Sequence, residues 1–252
     1  MKNTQIFNSW VTCPQPNPTA KLRLFCFHYA GGRALMFHTW PEKILPDIEV
    51  CPIELPGRGM RLMKPPFTHI QPLIKALEKA LLPLLNKPFA FFGYSMGALI
   101  SFELTRLLRR KSNLSPVHLF VCALHAPQMP DPHPPIHALP KSKFLQELRR
   151  YNGTPEEVLS SPELMKLFLP TLRADFSVLE TYVYTPEAPL DCPITAFGGL
   201  QDWKASADDL KAWREQTKVE FSLEMFTGDH FFLNSSESLL LNSVNQKLHG
   251  YC

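Results

Sequence analysis

The chain has 252 residues, 45% of them hydrophobic and 19% charged, which suits one sizeable globular core with room for an inserted subdomain. Its formal net charge of +3, from 26 basic and 23 acidic side chains, is too small and too scattered an excess for a nucleic-acid-binding surface. The opening segment MKNTQIFNSWVTCPQPNPTA lacks the apolar run of a signal peptide, and no stretch approaches the roughly 20 apolar residues of a membrane span, so a cytoplasmic, monomeric protein that avoids membranes is expected.

Taken in chain order, residues 22–28 form the first apolar strand pattern, and a small, glycine-rich turn follows it (His28-Tyr29-Ala30-Gly31-Gly32). A second strand is expected at 49–55. Ile70, Leu73, Ile74, Leu77, Leu81 and Leu84 then recur at the spacing of one helix face. Residues 89–93 read as a third strand, and a helix begins at Met96. Arg106, Arg109, Arg110 and Lys111 read as the solvated end of that helix, where cations also suit the dipole. A fourth strand is expected at 117–124, a fifth at 193–198 and a sixth at 219–226. These strands are nearly continuous apolar runs, as strands buried on both faces of a parallel sheet must be. Strand–helix alternation implies a mostly parallel, doubly wound α/β sheet.

Residues 128–184 break that rhythm. A proline-rich linker opens the segment, and three helix signals follow, at 141–151, at Thr154-Pro155-Glu156 and at Ser161-Pro162-Glu163. Each of the last two pairs an N-cap hydroxyl with proline at the first helical position. Pro170 is expected to end or kink the last helix before it resumes over 171–182. The chain therefore divides into a core of residues 1–127 and 185–252 and a helical lid insertion at 128–184.

The six cysteines, at 13, 26, 51, 122, 192 and 252, include no CxxC pair and no histidine-interleaved zinc spacing. Buried free thiols in a reducing compartment are expected.

The chemistry centres on Gly93-Tyr94-Ser95-Met96-Gly97. This G-x-S-x-G lies between an apolar strand and a helix, the context in which a sharp turn lifts a serine Oγ into a cleft. Ser95 is the expected nucleophile of a serine hydrolase on an α/β-hydrolase fold. A hydroxyl needs a base, and the base needs an orienting acid, in the chain order Ser, Asp or Glu, His. His230 follows the last strand in Gly228-Asp229-His230-Phe231-Phe232, whereas His249 sits near the end of the chain. Asp202 stands just beyond the fifth strand, where functional residues gather at carboxyl ends of parallel strands. Asp208 and Asp209 fall in helix, Asp229 adjoins His230 itself, and Asp175 belongs to the insertion. Charge developing on a carbonyl oxygen also needs donors. The Met96 N–H at the helix start is one. The second is expected from the first turn, at Ala30 N–H, with Tyr29 N–H as the alternative.

Several motifs together resemble the type II thioesterases, the stand-alone thioesterases that accompany nonribosomal peptide and polyketide synthases. They are Phe27-His28-Tyr29-Ala30-Gly31-Gly32, Leu55-Pro56-Gly57-Arg58-Gly59 with Arg61, the Ser95 pentapeptide, Leu172-Arg173-Ala174-Asp175, Gly198 through Asp202, and Gly228 through Phe232. They occur in family order from about residue 22 to 233. One departure is Leu124-His125-Ala126-Pro127, where the family often carries an arginine. The resemblance implies acyl groups held as thioesters on the phosphopantetheine arm of acyl or peptidyl carrier proteins. No metal or cofactor of the protein's own is implied, because the phosphopantetheine belongs to the substrate. Editing of stalled or wrong acyl groups is the leading expectation. The alternatives are programmed release as a medium-chain acyl-carrier-protein thioesterase, a general carboxylesterase, and a non-catalytic carrier-binding module.

Overall fold

A computed structural model describes residues 5–251, with side chains from Asn8 onward; Cys252 lies outside the described residues. The chain opens with a hairpin that has no counterpart in the sequence reading, β1 (Gln5–Asn8) against β2 (Val11–Cys13), antiparallel. Asn8 Oδ1 accepts from the N–H groups of Trp10 and Val11, a side-chain substitute for a backbone turn. The signal for a strand is weak here because β2 has only three residues.

The sheet follows: β3 (Leu22–Phe27), β4 (Ile48–Pro52), β5 (Phe89–Tyr94), β6 (His118–Cys122), β7 (Ile194–Gly199) and β8 (Phe221–Phe226), in the order β4-β3-β5-β6-β7-β8, with every pairing parallel. All six core strands match the sequence pattern, with ends shifted by at most three residues. β4 stops at Pro52 rather than Leu55, and Ile53 turns instead to an antiparallel bridge with Val11 of the hairpin. Alternate residues serve opposite cores. Phe25, Phe27, Phe89 and Phe91 join α1 (Ile70–Leu81) and α2 (Met96–Ser112) on one face. Leu24, Cys26, Phe92 and Tyr94 face the other, which α7 (Leu233–Leu248) covers. Period-2 alternation between two apolar layers is why these strands read as unbroken apolar runs. Between β7 and β8 lies the short α6 (Ala207–Lys211), started by a capping box of Ser206 and Asp209.

Three helices occupy the segment between β6 and β7: α3 (Lys141–Tyr151), α4 (Glu156–Leu159) and α5 (Pro162–Glu180). They gather their own small core around Phe144, Leu148, Met165, Leu172 and Phe176. Ser161 caps α5 as expected, its Oγ accepting from Leu164 N–H. Two expectations need correction. Thr154 does not cap α4; Pro155 occupies that position with no side-chain bond, and this single turn is held by buried Leu159 and by the Arg149–Glu156 pair. Of the two outcomes expected at Pro170, an end is excluded, because α5 continues through it to Glu180. Proline removes one ladder bond there, while Thr171, Leu172, Ala174 and Phe176 just beyond it are all buried and hold the helix in place.

The basic run on α2 is also corrected in part. Arg106 is not solvated: it is 2% exposed, bonded to Glu103 and paired with Glu187, while Arg109 and Arg110 also pair with Glu187. The segment before β7 folds back over the helix end and supplies the acid and carbonyls that a buried guanidinium requires. The five described cysteines are free and buried, and no helix is long and apolar enough to cross a membrane.

Candidate active site

The sheet order reverses between β3 and β5. β4 follows β3 to one side, and the chain then returns to build β5 through β8 on the other. Such a switch point leaves a crevice at the carboxyl ends of the two strands. Here those ends carry the turn at residues 28–32 and Ser95, held side by side by the pairing of Phe27 with Gly93.

Ser95 adopts φ 51° and ψ −112°, a backbone conformation that is strained for a residue with a Cβ. The two glycines of the pentapeptide make that turn sterically feasible. A Cβ on Gly93 would lie 2.2 Å from Gly97 O, and a Cβ on Gly97 would lie 2.2 Å from Phe27 O. Ser95 N–H donates to Cys122 O at 2.8 Å, tying the turn to β6.

The structure brings Ser95, His230 and Asp202 together. His230 Nε2 lies 3.2 Å from Ser95 Oγ, and its Nδ1 lies 2.9 Å from Asp202 Oδ2. A carboxylate only accepts, so Nδ1 carries the proton and Nε2 is left to accept from the serine hydroxyl. All three residues are buried. Supports beyond the three hold the set in place. Lys204 N–H donates to Asp202 Oδ1 at 2.8 Å, and the Tyr94 hydroxyl donates to His230 O at 2.6 Å. Tyr151 of α3 lies with its ring centroid 6.3 Å from that of His230.

Around the first turn, Gly31 N–H donates to Asp175 Oδ2 and Gly32 N–H to Tyr29 O. Those two amides are therefore engaged, and Ala30 lines the cleft beside Ser95. Met96 is the first residue of α2, where backbone N–H groups lack helical partners. His28 beneath the turn is held down to about 3 by burial, reinforced by the Arg58 charge. It is therefore neutral near pH 7, and its Nδ1 lies 2.8 Å from Tyr29 O, a bond that it donates.

Ser95 and His230 open on a cavity of about 510 Å³ between the sheet and the insertion. Leu99, Leu124, Leu172, Phe176 and Leu179 supply apolar wall, while His125 and Tyr182 add polar edge. His125, at the position where the sequence departs from the family pattern, turns its Nδ1 onto Ala126 O. Among the described residues, no group of three or more His, Cys, Asp or Glu side chains is placed to hold a metal ion.

Sequence reasoning did not foresee the pairing of Arg58 with Asp175, at 2.6 Å and almost fully buried. Both residues lie in motifs singled out above, but 117 positions separate them, and neither local pattern names a partner.

Comparison with known proteins gives a consistent picture. The profile of the thioesterase domain family matches residues 22–249. The gramicidin S biosynthesis protein GrsT of Aneurinibacillus migulanus is 51% identical over 241 residues, spanning 96% of this chain and 94% of the relative. Among solved structures, RedJ, a thioesterase from the prodiginine biosynthetic pathway in Streptomyces coelicolor, superposes with a TM-score of 0.85 at 37% identity, covering 90% of this chain and 86% of the other. The type II thioesterase BorB from the borrelidin biosynthetic cluster gives 0.88 at 33% identity, covering 97% and 99%.

Proposed function

The chain belongs to the thioesterase domain family, and from that premise we propose that it hydrolyses acyl thioesters on the phosphopantetheine arm of acyl or peptidyl carrier proteins, clearing stalled or aberrant acyl groups from a nonribosomal peptide or polyketide synthase. The observation that carries this reading is the Asp202–His230–Ser95 hydrogen-bond chain opening on a largely apolar cavity. The likeness to proteins of gramicidin S, prodiginine and borrelidin biosynthesis supports a carrier-bound thioester as the substrate.

In the proposed mechanism, Ser95 Oγ attacks the thioester carbonyl while His230 Nε2 takes its proton. The N–H groups of Ala30 and Met96 receive the developing oxyanion. The proton on His230 passes to the departing pantetheine sulfur, leaving an acyl ester on Ser95. His230 then takes a proton from water, hydroxide adds to that ester, and the acid leaves as Ser95 regains its proton. Asp202 keeps the imidazole in the required tautomer and stabilises its cationic form. No metal or bound cofactor is needed for these steps. Residues 128–184 act as a lid over the acyl group, and the protein works in the cytoplasm as a monomer.

The test is a panel of carrier proteins bearing acyl groups from acetyl upward, assayed for released acid. Wild type is expected to release acids across the short chains, and Ser95→Ala none. Equal release by both contradicts the proposal. A single sharp optimum at medium chain length points instead to programmed release, and equal turnover of carrier-free oxygen esters to a general carboxylesterase.

A further inference from the structure

One buried ion pair crosses from the insertion to the core. Arg58 Nη1 donates to Asp175 Oδ2 at 2.7 Å and Nη2 to Oδ1 at 2.6 Å. A latch holding α5 down would account for those two bonds. It does not account for two further contacts. Asp175 Oδ2 also accepts Gly31 N–H at 2.7 Å, and Arg58 Nη1 also donates to Gly32 O at 3.1 Å. The pair therefore grips the backbone of the turn beside the nucleophile.

The Tyr29–Ala30 peptide is held through its carbonyl. Tyr29 O accepts from Gly32 N–H at 2.9 Å and from His28 Nδ1 at 2.8 Å. In a trans peptide the C=O and the following N–H point in opposite directions. Anchoring Tyr29 O inward therefore turns Ala30 N–H outward, toward the cleft that Ala30 and Ser95 share. The next peptide is fixed through its N–H by Asp175.

We propose that Asp175 is a positioning residue for the oxyanion donor. From the helical insertion, it fixes the Ala30–Gly31 peptide, the unit that follows Ala30, and so restrains the adjoining Tyr29–Ala30 peptide whose Ala30 N–H meets the tetrahedral intermediate. This rests on the proposed function, with Ser95 as nucleophile and Ala30 as donor. It assigns the insertion a part in catalysis distinct from covering the acyl group: undocking α5 would release the turn and disorganise the oxyanion site.

The experiment uses a graded pair of variants. Asp175→Asn keeps a neutral acceptor for Gly31 N–H. Arg58→Met with Asp175→Leu removes the acceptor and both buried charges together, which avoids leaving one charge unpaired. Each is assayed on acyl N-acetylcysteamine thioesters. Each is also titrated with a trifluoromethyl ketone analogue, which forms a tetrahedral adduct, and with a thioether analogue, which does not. In the double variant kcat is expected to fall on the order of 100-fold, and analogue affinity with it, as for loss of an oxyanion donor. KM and thioether affinity should stay within about threefold, because ground-state binding does not use this donor. Asp175→Asn should fall between, at roughly a tenfold loss. Should the double variant fail to fold, Asp175→Asn decides alone: unchanged kcat and analogue affinity overturn the proposal. A folded double variant with wild-type kcat, or one in which both analogues lose affinity equally, also overturns it. Wild type that neither hydrolyses these thioesters nor reacts at Ser95 with a fluorophosphonate contradicts the proposed function itself, a separate failure.

Discussion

On the sheet side of the cleft, Ser95, Asp202 and His230 sit just beyond β5, β7 and β8, strands buried on both faces or tied by continuous parallel pairing. On the insertion side, Asp131 and Tyr151 line the same cleft and Asp175 grips the turn beside it, each placed by ion pairs or ring contacts: Asp175 with Arg58, Asp131 with Lys204, and Tyr151 against Trp203. The first set is positioned by apolar packing that persists as long as the domain is folded. The second is positioned only while the insertion is docked. A few polar contacts can be broken without unfolding the sheet, so the two sides should respond differently to substitution.

The largest expected effect is on the sheet side. Asp202→Asn should leave the fold intact and lower kcat by about 10⁴-fold, because the amide favours the wrong imidazole tautomer; circular dichroism with steady-state kinetics checks both halves. Arg58→Ala attacks the docking contact instead. It strands the Asp175 carboxylate in a buried site and should cost about 3–5 kcal/mol of stability by urea denaturation. The paired change Arg58→Met with Asp175→Leu should cost much less, and equal losses would show that the ion pair does not couple the two residues. The smallest effect is expected at the rim. Lys204 and Asp131 meet at 3.2 Å, with Asp131 38% exposed, so Lys204→Ala should cost under about 1 kcal/mol, and less still in high salt.

The sequence carried the sheet side far better than the insertion side. Six apolar runs located the strands, and a pentapeptide between strand and helix located Ser95. Residue order then singled out Asp202 and His230, which lie in hydrogen-bonding sequence with it. Those inferences work because strand ends and a tight turn are local consequences of local residues. Arg106 shows the limit: its neighbours suggest a solvated charge run, but its burial depends on Glu187, far along the chain. The Arg58–Asp175 pair has the same character. No spacing rule links an arginine in a glycine-rich turn to an aspartate on a distant helix, and only the docked insertion brings them together. The expected end at Pro170 and cap at Thr154 fail for a related reason, since burial of Leu172 and Phe176 on α5 and of Leu159 on α4 outweighs local helix signals.

The proposed function depends most on Ser95 accepting an acyl group from a carrier-bound thioester. The direct measurement is intact-protein mass spectrometry of a single-turnover mixture of enzyme and an acyl-loaded carrier protein, quenched in acid over time. The expected result is a transient enzyme species heavier by the acyl group, mapped to Ser95, as the carrier loses that mass. Asp202→Asn should slow its appearance and Ser95→Ala should abolish it. Deacylation of the carrier at the same rate by wild type and Ser95→Ala would contradict an acyl-Ser95 intermediate.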